Sequence, residues 1–235
     1  MKTIRFPIGL LSILLLQLPS AGLAQDFPQS GFLDDYSKLR PAPQLEKIDF
    51  VYMSDDFHAK IAAAKAIIIP PPVFFVAADS KYKGINPDDI KVITEGLRQR
   101  LIDAFADGYQ IASNAGPNTI ELRMAMSNIH LKKKKRTPLI GYLPQVYIAT
   151  SAKRAMFDDF REKVDLRDVI IEAEILDAES GRAVGQIVML VGDSRNKKRF
   201  ASWEELDAAL NLNAARLRCR FDNAGLPENK RKNCL

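Results

Sequence analysis

The stretch at residues 169–193, VIIEAEILDAESGRAVGQIVMLVGD, decides the fold. Two runs rich in Val, Ile, Leu and Met flank the hexapeptide DAESGR, in which Asp177, Ser180 and Gly181 are typical turn residues. This pattern predicts a central β-hairpin over residues 169–192, with Gly181 at a positive φ angle.

The two strands of this hairpin carry different patterns. On the first strand, Glu172 and Glu174 alternate with apolar residues, so we expect one buried face and one solvated face. The second strand is apolar on both faces over residues 187–191, which is typical of a central strand with a helix packed on one side. The apolar positions of the first strand are Val169, Ile171, Ala173 and Ile175.

The first 24 residues have the composition of a secretory signal peptide. Lys2 and Arg5 precede an apolar run at residues 8–18, and the small residues Gly22 and Ala24 fit the −3 and −1 positions of a cleavage site. The run is short for a membrane span, although an uncleaved anchor is the alternative. We expect cleavage after Ala24 and a location in the periplasm or at the outer-membrane periphery, with no lipobox cysteine at the cleavage point.

The net charge of the exported chain is small. Without Lys2 and Arg5, 32 basic residues face 29 acidic ones, which leaves a charge of about +3 instead of the +5 of the whole sequence. Together with export, this balance argues against nucleic acid as a partner.

The chain has two cysteines, Cys219 and Cys234, near its C-terminus. An even number of cysteines in an exported chain predicts a disulfide, and the alternative is two free thiols.

The chain divides into an extended N-terminal segment at residues 25–46, an α+β domain at residues 47–225 and a polar C-terminal tail at residues 226–235. The element order β, α, β, β, α, β, β, α, without a repeat or a long linker, predicts a single domain with helices packed on a mixed or antiparallel sheet. Prolines break the N-terminal segment, and four of its residues are expected to pack a short turn onto the domain: Phe32, Leu33, Tyr36 and Leu39.

Local signals predict several features of these elements. The three prolines at residues 70–72 place an apolar strand at a sheet edge or break it. Asn86 is a good N-cap for a helix that starts at Pro87. A shift in the apolar phase predicts a β-bulge near Ser127 and Asn128. Further helices are expected at residues 146–163 and after a capping box at residues 202–205.

Catalytic and metal-binding patterns are missing from the sequence. His58 and His130 are the only histidines, and neither has a Cys, Asp or Glu at metal-ligand spacing, so we expect both to face solvent. There is no nucleophile elbow, phosphate loop or dinucleotide fingerprint. Adjacent acidic pairs point to different sides of a helix or strand and do not converge by themselves. We therefore predict no catalytic residue, no metal and no cofactor.

One basic run has a specific functional interpretation. Five consecutive cations can hold lipid phosphates or an anionic envelope polymer: Lys132, Lys133, Lys134, Lys135 and Arg136. The alternative is a solvated strand end whose charges protect an edge. A second basic turn, SRNKKR, follows the hairpin at residues 194–199.

The order of several motifs resembles a bacterial envelope family known as domain of unknown function 3313. The motifs are GFLDDYSKLRPAP, FVYMSDDF, AIIIPPPVFF, INPDDIKVITEGLRQRLIDAF, TIELRMAMSNI and LDAESGRAVG. The resemblance covers residues 31–224 and implies an envelope (lipo)protein, but this chain has no lipobox cysteine. It carries over no catalytic residue.

These observations predict an exported, non-enzymatic protein that binds another component of the cell envelope. One alternative is a binder of anionic lipid or polysaccharide through Lys132 to Arg136. Another is a small envelope hydrolase whose site is assembled only by the tertiary structure.

Overall fold

The computed structural model describes residues 27–45, 48–84, 87–132, 164–165, 168–190 and 203–234. Three predictions therefore lie outside the described residues: the signal peptide at residues 1–24, the helix at residues 146–163 and the second basic turn at residues 194–199. The cap residues Asn86 and Ser202 also lie outside them.

The described residues form three α-helices and nine β-strands. The helices are α1 (Phe57–Ala63), α2 (Pro87–Phe105) and α3 (Trp203–Ala224). The strands are β1 (Arg40–Pro41), β2 (Phe50–Met53), β3 (Ala66–Ile68), β4 (Val73–Val76), β5 (Gln110–Ile111), β6 (Thr119–Leu131), β7 (Val164–Asp165), β8 (Ile170–Asp177) and β9 (Arg182–Leu190).

The strands form a mixed sheet in the order β1-β2-β9-β8-β6-β3-β5. Pairing is antiparallel from β1 as far as β6 and parallel from β6 through β3 to β5. The hairpin β8–β9 lies in the middle of this order, and Gly181 in its turn has a φ of 69°. The predicted α+β class is confirmed.

The proline run interrupts one side of β6. β3 ends at Ile68 and β4 begins at Val73, and both lie parallel to β6. Proline has no amide hydrogen to donate to a strand ladder, so the chain leaves the sheet between them. The prediction that these prolines break the strand is confirmed.

The predicted bulge in β6 is also confirmed. Phe74 pairs with Met126, but Val76 pairs with Ile129, so β6 has one extra residue between the two pairs. Asn128 has a φ of 54° at this point. A bulge moves the following side chains to the other face of the sheet, which explains why Ile129 and Leu131 are buried instead of their even-numbered neighbours.

All three helices contribute to the main core on one face of the sheet. Phe57 of α1, Leu101 of α2 and Phe221 of α3 belong to the same buried cluster as residues of the central strands. The strand residues in this cluster include Ile120, Leu122, Met124, Ala173 and Ile175.

The opposite face of the sheet is covered by residues 27–39, which we call the N-terminal strap. Its only regular element is a 3-10 turn at Tyr36–Lys38, and five of its side chains are buried: Phe27, Phe32, Leu33, Tyr36 and Leu39. They pack with Ala125, Ile170 and Val188 of the sheet. The expected packing of this segment onto the domain through a short turn is confirmed.

Candidate functional site

The prediction of a solvated face on the first hairpin strand is wrong. Glu172 and Glu174 have no exposed surface, because the N-terminal strap lies over the face to which they point. A fully buried carboxylate needs hydrogen bonds or a charged partner to offset the loss of water. The contacts of these two residues therefore define the chemistry of this region.

Glu172 is held by two hydroxyl groups. The Tyr36 hydroxyl of the strap donates to Oε2, and the Ser127 hydroxyl of β6 donates to Oε1. The Tyr36 oxygen in turn accepts the backbone N–H of Gly31 at 3.2 Å and of Leu33 at 3.4 Å. Burial raises the pKa of Tyr36, and its hydrogen bond to Glu172 raises it further. The Tyr36 hydroxyl thus adds a polar contact to the apolar packing of the strap on the sheet.

Glu174 lies in a second polar cluster beside the first. Gln186 Nε2 of β9 donates to Glu174 Oε1 at 2.8 Å, and Arg123 Nη1 of β6 lies 3.4 Å from Oε2. The Arg123 guanidinium also stacks over the Phe32 ring of the strap at 5.3 Å. Burial raises the pKa of Glu174, against the opposing effects of Gln186 and Arg123. The strap therefore covers a carboxylate whose charged form is poorly solvated.

Glu172 and Glu174 have the composition of a catalytic acid–base pair but lack its accessibility. Two carboxylates on one strand, two residues apart, meet the first requirement of a glycosidase-like site. Catalysis also requires that substrate and water reach them, and here both side chains are fully buried, with Tyr36 of the strap bonded to Glu172. The hydrogen bonds of this cluster attach the strap to the sheet.

A small cavity lies at the turn of the hairpin. It has a volume of about 60 Å³ and is lined by polar groups that include Lys60, Asn118, Asp177 and Glu179. Pockets for organic ligands have volumes of roughly 300–1,000 Å³, so this cavity has room for water only.

The DAESGR turn is bound to α1 by charged side chains. Asp177 accepts the Ser180 hydroxyl at 2.7 Å and lies 3.0 Å from Lys60 Nζ, while Arg182 pairs with Asp56. The Arg182 hydrogen bond and the Ser54 hydroxyl lower the pKa of Asp56 to about 2. The most specific motif of the hairpin therefore holds the first helix in place.

The two histidines lie apart from these clusters. His58 is exposed and its Nδ1 is 2.8 Å from the Ala224 carbonyl oxygen. His130 is partly exposed, and its Nε2 is 3.0 Å from an Asp79 carboxylate oxygen, a pair that sequence spacing did not indicate. Within the described residues, no three His, Cys, Asp or Glu side chains are grouped as metal ligands.

The basic run is described only at its first residue. Lys132 is exposed and follows the last residue of β6, while Lys133, Lys134, Lys135 and Arg136 lie outside the described residues.

A basic loop that the sequence patterns did not indicate lies at the other end of the chain. Cys219 and Cys234 form a disulfide with a Cα–Cα distance of 5.6 Å. The loop that it closes after α3 carries Lys230, Arg231 and Lys232, all exposed. Three adjacent cations form a weaker signal than the five that begin at residue 132, and the local pattern predicts only a polar tail there.

Comparison with known proteins identifies the family. A family profile described as "Protein of unknown function (DUF3313)" matches residues 28–217. The chain belongs to this family. The matched range contains residues 28–39 of the N-terminal strap, both buried glutamates and the DAESGR turn, and the family description assigns no activity to any of them.

Two solved structures share limited similarity with this DUF3313 protein. One is a dodecamer of a PelC variant from Paraburkholderia phytofirmans, with 10% identity, coverage of 66% of this chain and 84% of the other, and a TM-score of 0.30. The other is a putative neuraminyllactose-binding hemagglutinin homolog from Helicobacter pylori, with 9% identity, coverage of 71% and 84%, and a TM-score of 0.30. Comparison with curated proteins gave no match. None of the helices in the described ranges is long and apolar enough to cross a bilayer.

Proposed function

We propose that this DUF3313 protein is an exported, non-enzymatic binding module that contacts another component of the bacterial cell envelope. The observation that carries this proposal is that its two buried glutamates hold one segment of the chain against another. Glu172 and Glu174 are engaged beneath the N-terminal strap, where they attach one segment of the chain to another. Catalytic carboxylates, in contrast, lie in a cleft that a substrate can enter.

Export is supported by two features. The first 24 residues have the composition of a signal peptide, and the Cys219–Cys234 disulfide suits an oxidising compartment. Binding to an anionic envelope surface through Lys132 to Arg136 is the second candidate. It is favoured by the exposed position of Lys132 at the end of the longest strand of the sheet, where the run begins.

Sedimentation of the mature protein with isolated envelopes over a range of salt concentrations tests this function. Retention at high salt supports a partner bound by apolar or buried polar contacts. Release near ~0.1 M salt supports the anionic surface, because charge–charge contacts between exposed groups are screened over about 10 Å at that ionic strength. Failure to sediment at every salt concentration would contradict the binding module and favour the hydrolase alternative.

A matched pair of variants separates the two candidates. Lys132→Gln, Lys133→Gln and Lys134→Gln together remove three charges from the basic run. The control removes three charges from exposed lysines elsewhere: Lys65→Gln, Lys81→Gln and Lys91→Gln. If only the first variant loses envelope binding, the basic run is responsible for that binding. If both variants bind envelopes equally well, binding to an anionic surface through the basic run is excluded.

A further inference from the structure

The loop that follows α3 has a fixed backbone. The disulfide joins Cys234 to Cys219 on the last turns of the helix, across a sequence separation of 15 residues. Inside the loop, Glu228–Lys230 form a 3-10 turn in which the Lys230 N–H donates to the Pro227 carbonyl at 2.9 Å. A loop held in this way loses little conformational entropy when it binds a partner.

One helix residue attaches the basic part of this loop to α3. The Asn223 side chain donates through Nδ2 to the Lys232 carbonyl at 2.7 Å and accepts the Lys232 N–H through Oδ1 at 2.8 Å. The Arg231 Nε donates to the Leu226 carbonyl at 3.2 Å. The Asn223 bonds hold the backbone at Lys232, and the Arg231 bond holds that side chain against the loop.

The three cations of this loop outnumber its one carboxylate, Glu228. Among the described residues, no carboxylate forms an ion pair with Lys230, Arg231 or Lys232. Lys60 and Arg182, in contrast, each pair with an aspartate on a neighbouring element. The fold thus presents three adjacent exposed cations on a loop that is tied to α3.

The shape of the loop favours a surface over a small anion. A bidentate phosphate site requires two free N–H groups of one guanidinium fork. Arg231, the one arginine of the three, already donates its Nε to the Leu226 carbonyl. A layer of phospholipid headgroups requires only positive charge close to it, and polybasic segments bind such layers.

We propose that the disulfide-closed loop at residues 226–234 docks the protein on an anionic phospholipid surface through Lys230, Arg231 and Lys232. This inference rests on the proposed binding function and names its partner. It assigns the contact to the C-terminal loop and not to the run that begins at Lys132.

Flotation with vesicles tests the inference. The mature protein is mixed with phosphatidylcholine vesicles that contain or lack phosphatidylglycerol, at low salt and at ~0.1 M salt, where exposed charges are screened over about 10 Å. Binding is expected only with phosphatidylglycerol and is expected to weaken with salt. Equal binding to both vesicle types, or to neither, overturns the proposal.

The variant Lys230→Gln, Arg231→Gln and Lys232→Gln identifies the loop. Each cation near an anionic surface contributes roughly a fivefold gain in partitioning, so the triple variant should bind about 100-fold more weakly. The control Lys65→Gln, Lys81→Gln and Lys91→Gln has the same net charge and should retain most of the binding. Equal losses in the two variants would mean that only net charge matters and would overturn the assignment.

A charge-preserving variant distinguishes a lipid surface from a stereospecific site. Lys230→Arg, Arg231→Lys and Lys232→Arg together should bind the vesicles as the wild type does, and a large loss would overturn the surface mode. Circular dichroism and a thiol assay check that each variant is folded and oxidised.

The envelope experiment separates this inference from the proposed function. If the wild-type protein sediments with envelopes but does not bind the vesicles, the lipid surface is rejected and the binding module is left intact. A protein that binds neither vesicles nor envelopes contradicts both proposals.

Discussion

At the scale of single residues, the unusual feature is a pair of glutamates buried on a sheet face. Both oxygens of the Glu172 carboxyl accept a hydroxyl, one of them from Tyr36 of the strap. Glu174 accepts a hydrogen bond at Oε1 from Gln186, whereas its Oε2 has no hydrogen bond within the described residues and lies 3.4 Å from Arg123. Hydrogen bonds to charged groups are worth more than those between neutral groups, and an unsatisfied buried acceptor is costly. These contacts lead to one prediction for Tyr36 and another for Glu174.

The first concerns Tyr36→Phe, which removes the hydroxyl that donates to Glu172. The variant should lose about 1.5–3 kcal/mol of free energy of unfolding, because the buried carboxylate loses one of its two hydroxyl donors. Urea denaturation measures this loss, and limited proteolysis should cut the strap sooner.

The matched control for this change is Tyr52→Phe. Tyr52 is half-buried, and no hydrogen bond through its hydroxyl is present in the described part of the chain. The control should therefore be close to wild type. Equal losses in the two variants would show that the Tyr36–Glu172 bond contributes nothing specific.

The second prediction is a pH dependence at Glu174. Burial raises the pKa of this carboxyl, so the folded protein binds the proton more tightly than the unfolded chain does. Its contribution to stability is fully present below the unfolded pKa and is lost as the pH rises through the folded pKa. The free energy of unfolding of the wild type should therefore fall relative to that of Glu174→Gln from about pH 4 upward.

Urea denaturation of both proteins over a pH series measures this difference. Glu179→Gln is the control, because Glu179 is exposed in the hairpin turn. A difference between the wild type and Glu174→Gln that stays constant with pH would contradict the prediction.

At the scale of elements, α1 is held against the hairpin by charge and by close packing. Arg182 and Lys60 provide the ion pairs, and Gly185 in β9 provides the space for an aromatic ring. A Cβ atom at Gly185 would lie 2.9 Å from Cε2 of Phe57. The glycine is therefore needed for a close approach between a strand and a helix.

We expect Gly185→Ala to lower the free energy of unfolding by about 1–3 kcal/mol, since the added methyl group overpacks this contact. Thermal denaturation measures the change. Gly84→Ala is the control, because nothing lies within 4 Å of a Cβ atom there. An alanine at Gly185 that leaves the melting temperature unchanged would show that α1 moves aside at little cost.

At the scale of the whole molecule, three layers are joined by contacts between distant parts of the chain. The strap covers one face of the sheet, the helices cover the other, and the disulfide fixes the C-terminal loop to α3. Because the disulfide closes a loop of 15 residues, chain entropy limits its effect on global stability.

The double substitution Cys219→Ser and Cys234→Ser should therefore cost at most ~3 kcal/mol of free energy of unfolding. Adding a reductant should lower the stability of the wild type to that of the variant and should leave the variant unchanged. A variant that is as stable as the oxidised wild type would contradict this expectation.

Much of the fold follows from local patterns in the sequence. The alternation of apolar residues predicted the strand β6, and the shift in its phase predicted the bulge at Ser127 and Asn128. Proline chemistry predicted the break between β3 and β4, and Gly181 has the positive φ that its turn requires. These features depend on neighbouring residues, so the sequence alone determines them.

The burial of the candidate site residues was decided by the tertiary structure. A period of two residues shows that Glu172 and Glu174 share a face, but it does not show whether another segment covers that face. Here the strap covers that face of the sheet, and its Tyr36 lies 136 positions earlier in the chain than Glu172. In the same way, the disulfide and Asn223 turn a short polar tail into a fixed basic loop. Local sequence determined which residues form strands and turns, whereas contacts between distant segments decided which charged groups are buried and which reach solvent.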